Sequence, residues 1–374
     1  MTRLLLTFCL LLGTIPFMTR PAPGQDRHVA SVKKKTPPGM GILFYNLENA
    51  FDTIDDPYAG DDEFLPQGAR RWNGYRYRQK LNRLYKVLVA AGGWDAPDVI
   101  GVCEVEKRGV LEDLVHRTPF SRYPYRIIHK DSPDNRGMDV AAFYHTQRFF
   151  PLSHDYIPLE KEGTTLSTRE ILYIKGLVRS KEDTLHLFFN HWPSKWQGAL
   201  ATRPKRILAA QTLREKIDSI RRANPRAYIA AMGDFNDPPE AESLYRHLGA
   251  EEFTGTARPE TLYNLSFPWQ HQATGTQKYR ENWQVIDQVM VSGTLLKDKP
   301  KGTRDDAQKP KLCRYPGRGL HTTPNQARIF QRPFLLTTDK QYTGTKPFRT
   351  WLGYRYQGGF SDHLPVMLEI HFRP

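Results

Sequence analysis

Nine apolar runs of strand length punctuate this chain, at residues 41–45, 99–103, 125–128, 139–144, 171–178, 185–189, 227–232, 285–291 and 364–372. They are rich in β-branched and aromatic residues and bounded by Gly, Pro, Asn and Asp, which predicts strands. Two longer stretches carry the helical period instead. Residues 77–91 put Leu81, Leu84, Leu88 and Ala91 on one face, with basic residues opposite. Residues 205–222 do the same through Ile207, Leu208, Leu213 and Ile217, and stop near Asn224-Pro225. Strands outnumber helices, and many follow one another with no helix between. That pattern argues against a doubly wound sheet and for an α/β fold with two sheets packed face to face and helices outside.

The ends and the loops set the domain limits. Arg3 precedes an apolar run from Leu4 to Ile15, and Ala22-Pro23-Gly24 supplies a small-residue cleavage site before Gln25. Residues 1–24 therefore read as a signal peptide, implying export to the periplasm or the extracellular space with no stable membrane span after removal. Residues 25–38 form a polar linker, and residues 39–374 one domain. Two elaborations stand out within it: residues 52–72, acidic and then basic, and a basic insertion rich in Gly, Pro and Thr at about 297–351. Loops this long are usually functional or disordered. Beyond the leader only Cys103 and Cys313 remain, which is no disulfide framework for a chain of 374 residues.

A formal charge of +14 favours polyanionic partners, although much of the excess lies in loops such as Lys33-Lys34-Lys35 and equally describes a solvated surface. Nothing in the sequence points to a protein partner.

The candidate chemistry sits at the ends of the apolar runs. Asn46 and Glu48 close the first, two residues apart, so that an extended backbone would aim both to one side; a turn signal is the other reading of the same residues. Glu104 follows the second run directly and is preferred over Glu106 as a ligand for a hard cation. His191 ends another run. Asp234 and Asn236 follow the run at 227–232 across Gly233, again two apart. Asp287 lies inside a β run, where a carboxylate needs a compensating partner, and Asp362-His363 opens the last strand with a histidine able to supply it. Carboxylates, amides and imidazoles converging at strand ends are the means of metal-assisted hydrolysis.

Taken in order, these clusters resemble the endonuclease/exonuclease/phosphatase superfamily, which is deoxyribonuclease I-like. Met232-Gly233-Asp234-Phe235-Asn236 and Phe360-Ser361-Asp362-His363-Leu364-Pro365 are its most specific motifs, and the resemblance runs from about Gly41 to the C-terminus. It implies a four-layered α/β-sandwich, two packed mixed β-sheets flanked by helices. It also implies a phosphoesterase in which Mg2+ or Mn2+ (Ca2+ being compatible) neutralises the phosphate while water attacks in line. On that resemblance Glu104 ligates the metal directly, and Asn46, Glu48 and Asp362 ligate or position it. Asp234 deprotonates the water, Asn236 holds water or phosphate, and His191 and His363 donate to the phosphate. Asp287 orients His363, and Asp139 would do the same for His191.

The motifs identify the superfamily without separating its substrates. Residues 71–78 interleave Arg with Trp72, Tyr75 and Tyr77, a composition suited to phosphate contact and base stacking, so a nuclease is the leading expectation. An inositol-phosphate or phospholipid phosphoesterase is the alternative. A non-catalytic binding module on the same fold is the third, disfavoured by the intact constellation.

Overall fold

A computed structural model of the chain describes residues 39–372, apart from residues 94, 180–181, 197 and 298–318. The expected leader and linker, Cys313 and part of the basic insertion lie outside the described residues.

The first sheet contains β1 (Gly39–Ala50), β2 (Val99–Val105), β3 (Tyr125–Ile128) and β4 (Asp139–His145). The second contains β5 (Phe149–Ile157), β6 (Ile171–Val178), β7 (Asp183–His191), β8 (Tyr228–Asp234), β9 (Ala250–Glu252), β10 (Leu262–Asn264) and β11 (Asp287–Ser292). The chain then returns to the first sheet as β12 (Leu320–His321), β13 (Ala327–Ile329) and β14 (Val366–Phe372). The strand orders are β12-β14-β1-β2-β4-β3, with β13 also on β14, and β9-β10-β11-β8-β7-β6-β5. Both sheets are mixed: β1 runs parallel to β2, and β7 to β8, among antiparallel neighbours. Helix α1 (Gly74–Ala91) and α2 (Arg108–His116) cover one outer face, and α3 (Ala199–Ala223) the other. This is the four-layered sandwich expected, and no described helix is long and apolar enough to cross a membrane.

The core between the sheets explains why the apolar runs were so continuous. Phe44, Val99, Phe189, Met232, Val289 and Leu368 all bury there, while the opposite faces of the same strands bury under the helices. Close approach of the layers depends on Gly101, where an added Cβ would sit 2.1 Å from the Phe189 ring. Asn73 starts α1 earlier than the apolar stripe suggests, its side chain accepting the N–H groups of Tyr75 and Arg76. Helix α3 begins before Pro204 because the buried Arg206 ties its first turns together, bonding Thr202 Oγ1 at 2.7 Å and the Ala199 carbonyl at 3.1 Å. Edge strand β5 escaped the sequence pattern because Phe150 and Leu152 face solvent and Pro151 breaks the ladder beside a bulge.

The two elaborations pack together. Trp72 lies 5.4 Å from Trp351, ring to ring, and Phe64 meets Trp351 edge-on. Phe330, Leu335 and Trp351 are buried, so the described part of the insertion is built into the domain. It lies across the end of β1, next to the site.

Candidate active site

Strand register delivers most of the site. Asp234, the last residue of β8, pairs with His191 on one side and with Asp287, the first residue of β11, on the other. In the facing sheet Asn46 pairs with Cys103, one residue before Glu104. Asn46 joins the two sheets: its Nδ2 donates to Glu104 Oε1 at 3.0 Å and to Asp234 Oδ2 at 3.2 Å. The Asn49 N–H donates to the other Glu104 oxygen at 3.1 Å. His191 Nε2 stands 3.7 Å from Glu104 and 3.8 Å from Asp234, too far for hydrogen bonds.

Glu104, His191 and Asp234 thus aim one ligand atom each into a common space, all within 4.8 Å of one another. Two carboxylate oxygens and an imidazole nitrogen suit a hard or borderline divalent ion such as Mg2+ or Mn2+. Burial, helped by Arg169, Arg136 and His363, holds the His191 pKa well below its ordinary value, so the ring is neutral and fit to ligate. The sequence reading gave His191 a donor role; the geometry adds it to the metal group.

His363 is held differently. Its Nδ1 meets Asp287 Oδ2 at 2.7 Å, as expected, and Asp287 is itself fixed by Thr276 Oγ1, which accepts its N–H. Burial works against a charge on His363, but Asp287, Asp234 and Asp362 outweigh it and raise its pKa well above 6.5. Nε2 lies 2.8 Å from Gln277 Nε2 and 3.9 Å from Asp234. A cationic ring donates from both nitrogens, and rotating the Gln277 amide by about 180° around its last bond would give it an acceptor there. Burial, with Asp287 and Glu104 adding to it and His363 opposing, pushes Asp234 up to about 7. Ser361 secures the last motif to β1, donating to the Asn46 carbonyl at 2.7 Å and accepting the His363 N–H.

Four readings need correction. First, the pairs two residues apart are not extended: Glu48, Asn49, Glu104 and Asn236 all have φ between 53° and 59°, in the left-handed region. Non-glycine residues there are uncommon and mark sites where surrounding contacts outweigh the strain. Second, the turn swings Glu48 away from Asn46. Its carboxylate accepts the N–H groups of Thr350 (2.5 Å) and Trp351 (3.1 Å) and pairs with Arg349 and Lys80, so it is not an open ligand. One oxygen of Asp362, Oδ2, accepts from Arg349 Nη2 at 2.8 Å. Third, Asp139 does not serve His191: it bonds His129 Nε2 at 2.7 Å and the Ser132 N–H, while His191 Nδ1 has no hydrogen-bond partner among the described residues. Fourth, Trp72 and Tyr77 are buried, which leaves Tyr75 as the exposed aromatic of the basic segment. Asn236 lies beside Asp234, donating its N–H to Asp234 Oδ1 and its Nδ2 to the Trp192 carbonyl.

Sequence reasoning missed Lys80, Gln277 and Arg349. Lys80 alone carried a signal, since it shares the apolar stripe of α1 with Leu84 and Leu88.

With that geometry in hand, comparison with known proteins is direct. Residues 41–372 match the profile of the Endonuclease/Exonuclease/phosphatase family. No curated protein sequence matches the chain. Among solved structures it is similar to a mannosyl-6-phosphatase of Bacteroides thetaiotaomicron (16% identity, 88% of this chain and 99% of that one, TM-score 0.52). An endonuclease/exonuclease/phosphatase family protein from the same organism shares 16% identity over 89% of this chain and 97% of that one, with TM-score 0.51. A humanized D. rerio TDP2 shares 13% over 89% and 99%, also with TM-score 0.51. At such identities these likenesses establish the fold.

Proposed function

Because this chain belongs to the endonuclease/exonuclease/phosphatase family, whose members hydrolyse phosphate esters, we propose that it is an exported, Mg2+- or Mn2+-dependent phosphodiesterase acting on nucleic acid. The observation that carries the reading is the single cluster in which Asn46 bonds both Glu104 and Asp234 across the two sheets, with the Asp287–His363 pair beside it. A divalent ion held at Glu104, His191 and Asp234 would neutralise the phosphate as charge builds on its oxygens.

The chain's own groups do the rest. Asp234, whose carboxylate faces the same space, would orient the attacking water and take its proton. His363 offers a fixed positive charge to the phosphoryl oxygens, kept in place by Asp287. Asn236 anchors the Trp192 carbonyl and so the turn that follows His191. The export half of the reading rests on the leader pattern in residues 1–24, and an N-terminus beginning at Gln25 in protein recovered from outside the cytoplasm would support it.

A second reading is favoured by the burial of Trp72 and Tyr77, which removes two of the aromatics that would stack on bases. A compact phosphorylated substrate, such as an inositol phosphate or a phospholipid head group, needs no such platform. A panel of bis(p-nitrophenyl) phosphate, p-nitrophenyl phosphate, DNA, RNA, inositol phosphates and sphingomyelin separates the two. The phosphodiesterase reading expects diester hydrolysis that EDTA and Asp234→Asn both abolish. Turnover that survives both changes would refute it.

A further inference from the structure

Glu48 and Asp362, assigned by resemblance to the metal, instead share one guanidinium. Arg349 Nε lies 3.4 Å from Glu48 Oε1 and Nη2 lies 2.8 Å from Asp362 Oδ2. Lys80 Nζ stands 4.0 Å from Glu48 Oε2 on the buried side. Both Glu48 oxygens also accept backbone N–H groups, from Thr350 and Trp351. Two negative charges therefore meet two positive ones, and the lone pairs a cation would use on Glu48 are occupied.

The neighbouring group is the reverse. Glu104, His191 and Asp234 each turn one ligand atom into a common space, and among the described residues the hydrogen bonds to the two carboxylates come from the amides of Asn46 and Asn49 and the Asn236 N–H, with no guanidinium or ammonium bonded to them. A divalent ion placed at Glu104 meets carboxylate oxygens that no guanidinium or ammonium bonds. A second one placed between Glu48 and Asp362 would have to expel Arg349 and share its space with the buried Lys80, at close range to like charges.

Resting on the metal-dependent reading above, we propose that Arg349, with Lys80, stands in for a second divalent ion, so that this enzyme works with one metal ion. This gives the basic insertion a positioning role. The segment carries Arg349 across the end of β1, where Trp351 and Trp72 pack it down, and holds Glu48 and Asp362 in a charge-balanced arrangement beside the metal group. Arg349 is a positioning residue here, since it acts through the carboxylates.

Mn2+ binding to the purified protein tests this, counted by calorimetry and by the electron paramagnetic resonance of free and bound ion. The expected wild-type count is one, with the signal of an isolated Mn2+, and Glu104→Gln removes it. Arg349→Met frees Asp362 and part of Glu48, so a second, weaker ion binds and a spin-coupled pair appears. Arg349→Lys returns the count to one. Circular dichroism confirms that each variant is folded, and Asp362→Asn on the Arg349→Met background, which should abolish the second site, guards against a nonspecific gain. Two ions in the wild type would overturn the inference and leave the metal-dependent reading intact. A folded Arg349→Met that still binds one ion would overturn the assignment to Arg349. No binding by the wild type at millimolar Mn2+ would sink the metal-dependent reading, and this inference with it.

Discussion

Lys80→Met should be among the most destabilising single changes available in this fold. The ammonium is buried where α1, the end of β1 and the two segments flanking Arg349 and Asp362 meet. It donates to Thr350 Oγ1 at 2.5 Å, to the Phe360 carbonyl at 2.7 Å and to the Glu48 carbonyl at 3.2 Å. Burial pulls its pKa down to about 8, while Glu48, Asp362 and Glu104 work to keep the charge, so it remains mostly protonated at neutral pH. Methionine matches the length and supplies no donor. The Thr350 hydroxyl can still reach the Phe360 carbonyl, at 3.3 Å, which spares one acceptor. The Glu48 carbonyl loses a charged donor in a dry space, worth about 1–3 kcal/mol. The Glu48 carboxylate keeps Arg349 and two N–H groups but loses its buried counter-charge. Breaking a buried pair by removing one member costs about 3–5 kcal/mol in all, a large share of the 5–15 kcal/mol typical of a domain. Urea denaturation followed by fluorescence and circular dichroism measures it, with the m-value checked for constancy. Glu48→Gln added to Lys80→Met should cost less than the sum of the two singles, because each single change removes the other's buried counter-charge. A loss below about 1 kcal/mol at unchanged m, or strict additivity, would refute the coupling.

Three other outcomes follow from the same coordinates. Asp287→Asn removes the first group that keeps His363 cationic against burial. Activity should fall by about 10²–10⁴-fold, and the alkaline limb of the pH–rate profile should move to lower pH, since His363 then loses its proton earlier; an unmoved limb would contradict the assignment. Gly101→Ala drives a methyl into the Phe189 ring between the sheets, costing about 1–3 kcal/mol by overpacking; Phe189→Leu on that background should recover part of the loss in thermal unfolding, and no recovery would place the strain elsewhere. His186, buried against the Tyr173 hydroxyl at 2.7 Å, has its pKa lowered to about 4 by burial and then by Lys175. The unfolded chain therefore binds its proton first as pH falls, so its contribution is complete above about 6.5, declines toward pH 4 and is level below. His186→Gln should flatten that part of the stability–pH curve, and identical curves for the two proteins would disprove it.

What the sequence revealed and what it hid divide along a physical line. Asn46, Glu104, His191 and Asp234 are polar residues at or just past the ends of buried apolar runs, and Asp287 opens one. In a strand such a position has one meaning, because register with the neighbouring strands fixes where the side chain emerges. The second sphere of charges has no period to betray it. Arg349 comes from a segment of short ribbons and turns, and meets Glu48 across 301 residues of sequence. The alternation rule also failed at Glu48 and Asn236, because it presumes the extended backbone that their left-handed φ angles abandon. Asp139 was matched to the wrong histidine for a related reason: His129, ten residues away across the β3–β4 connection, reaches it locally and needs no long-range convergence. The regular strands therefore carry the clustered candidate residues, while irregular segments set the charge balance around them. It follows that a chain with the same strand-end residues but without Arg349 would free the Asp362 oxygen that Arg349 holds, while Glu48 kept the Thr350 and Trp351 N–H groups and Lys80. On the one-ion proposal, strand motifs alone would identify this group without fixing how many ions it holds, because Arg349 comes from a loop segment.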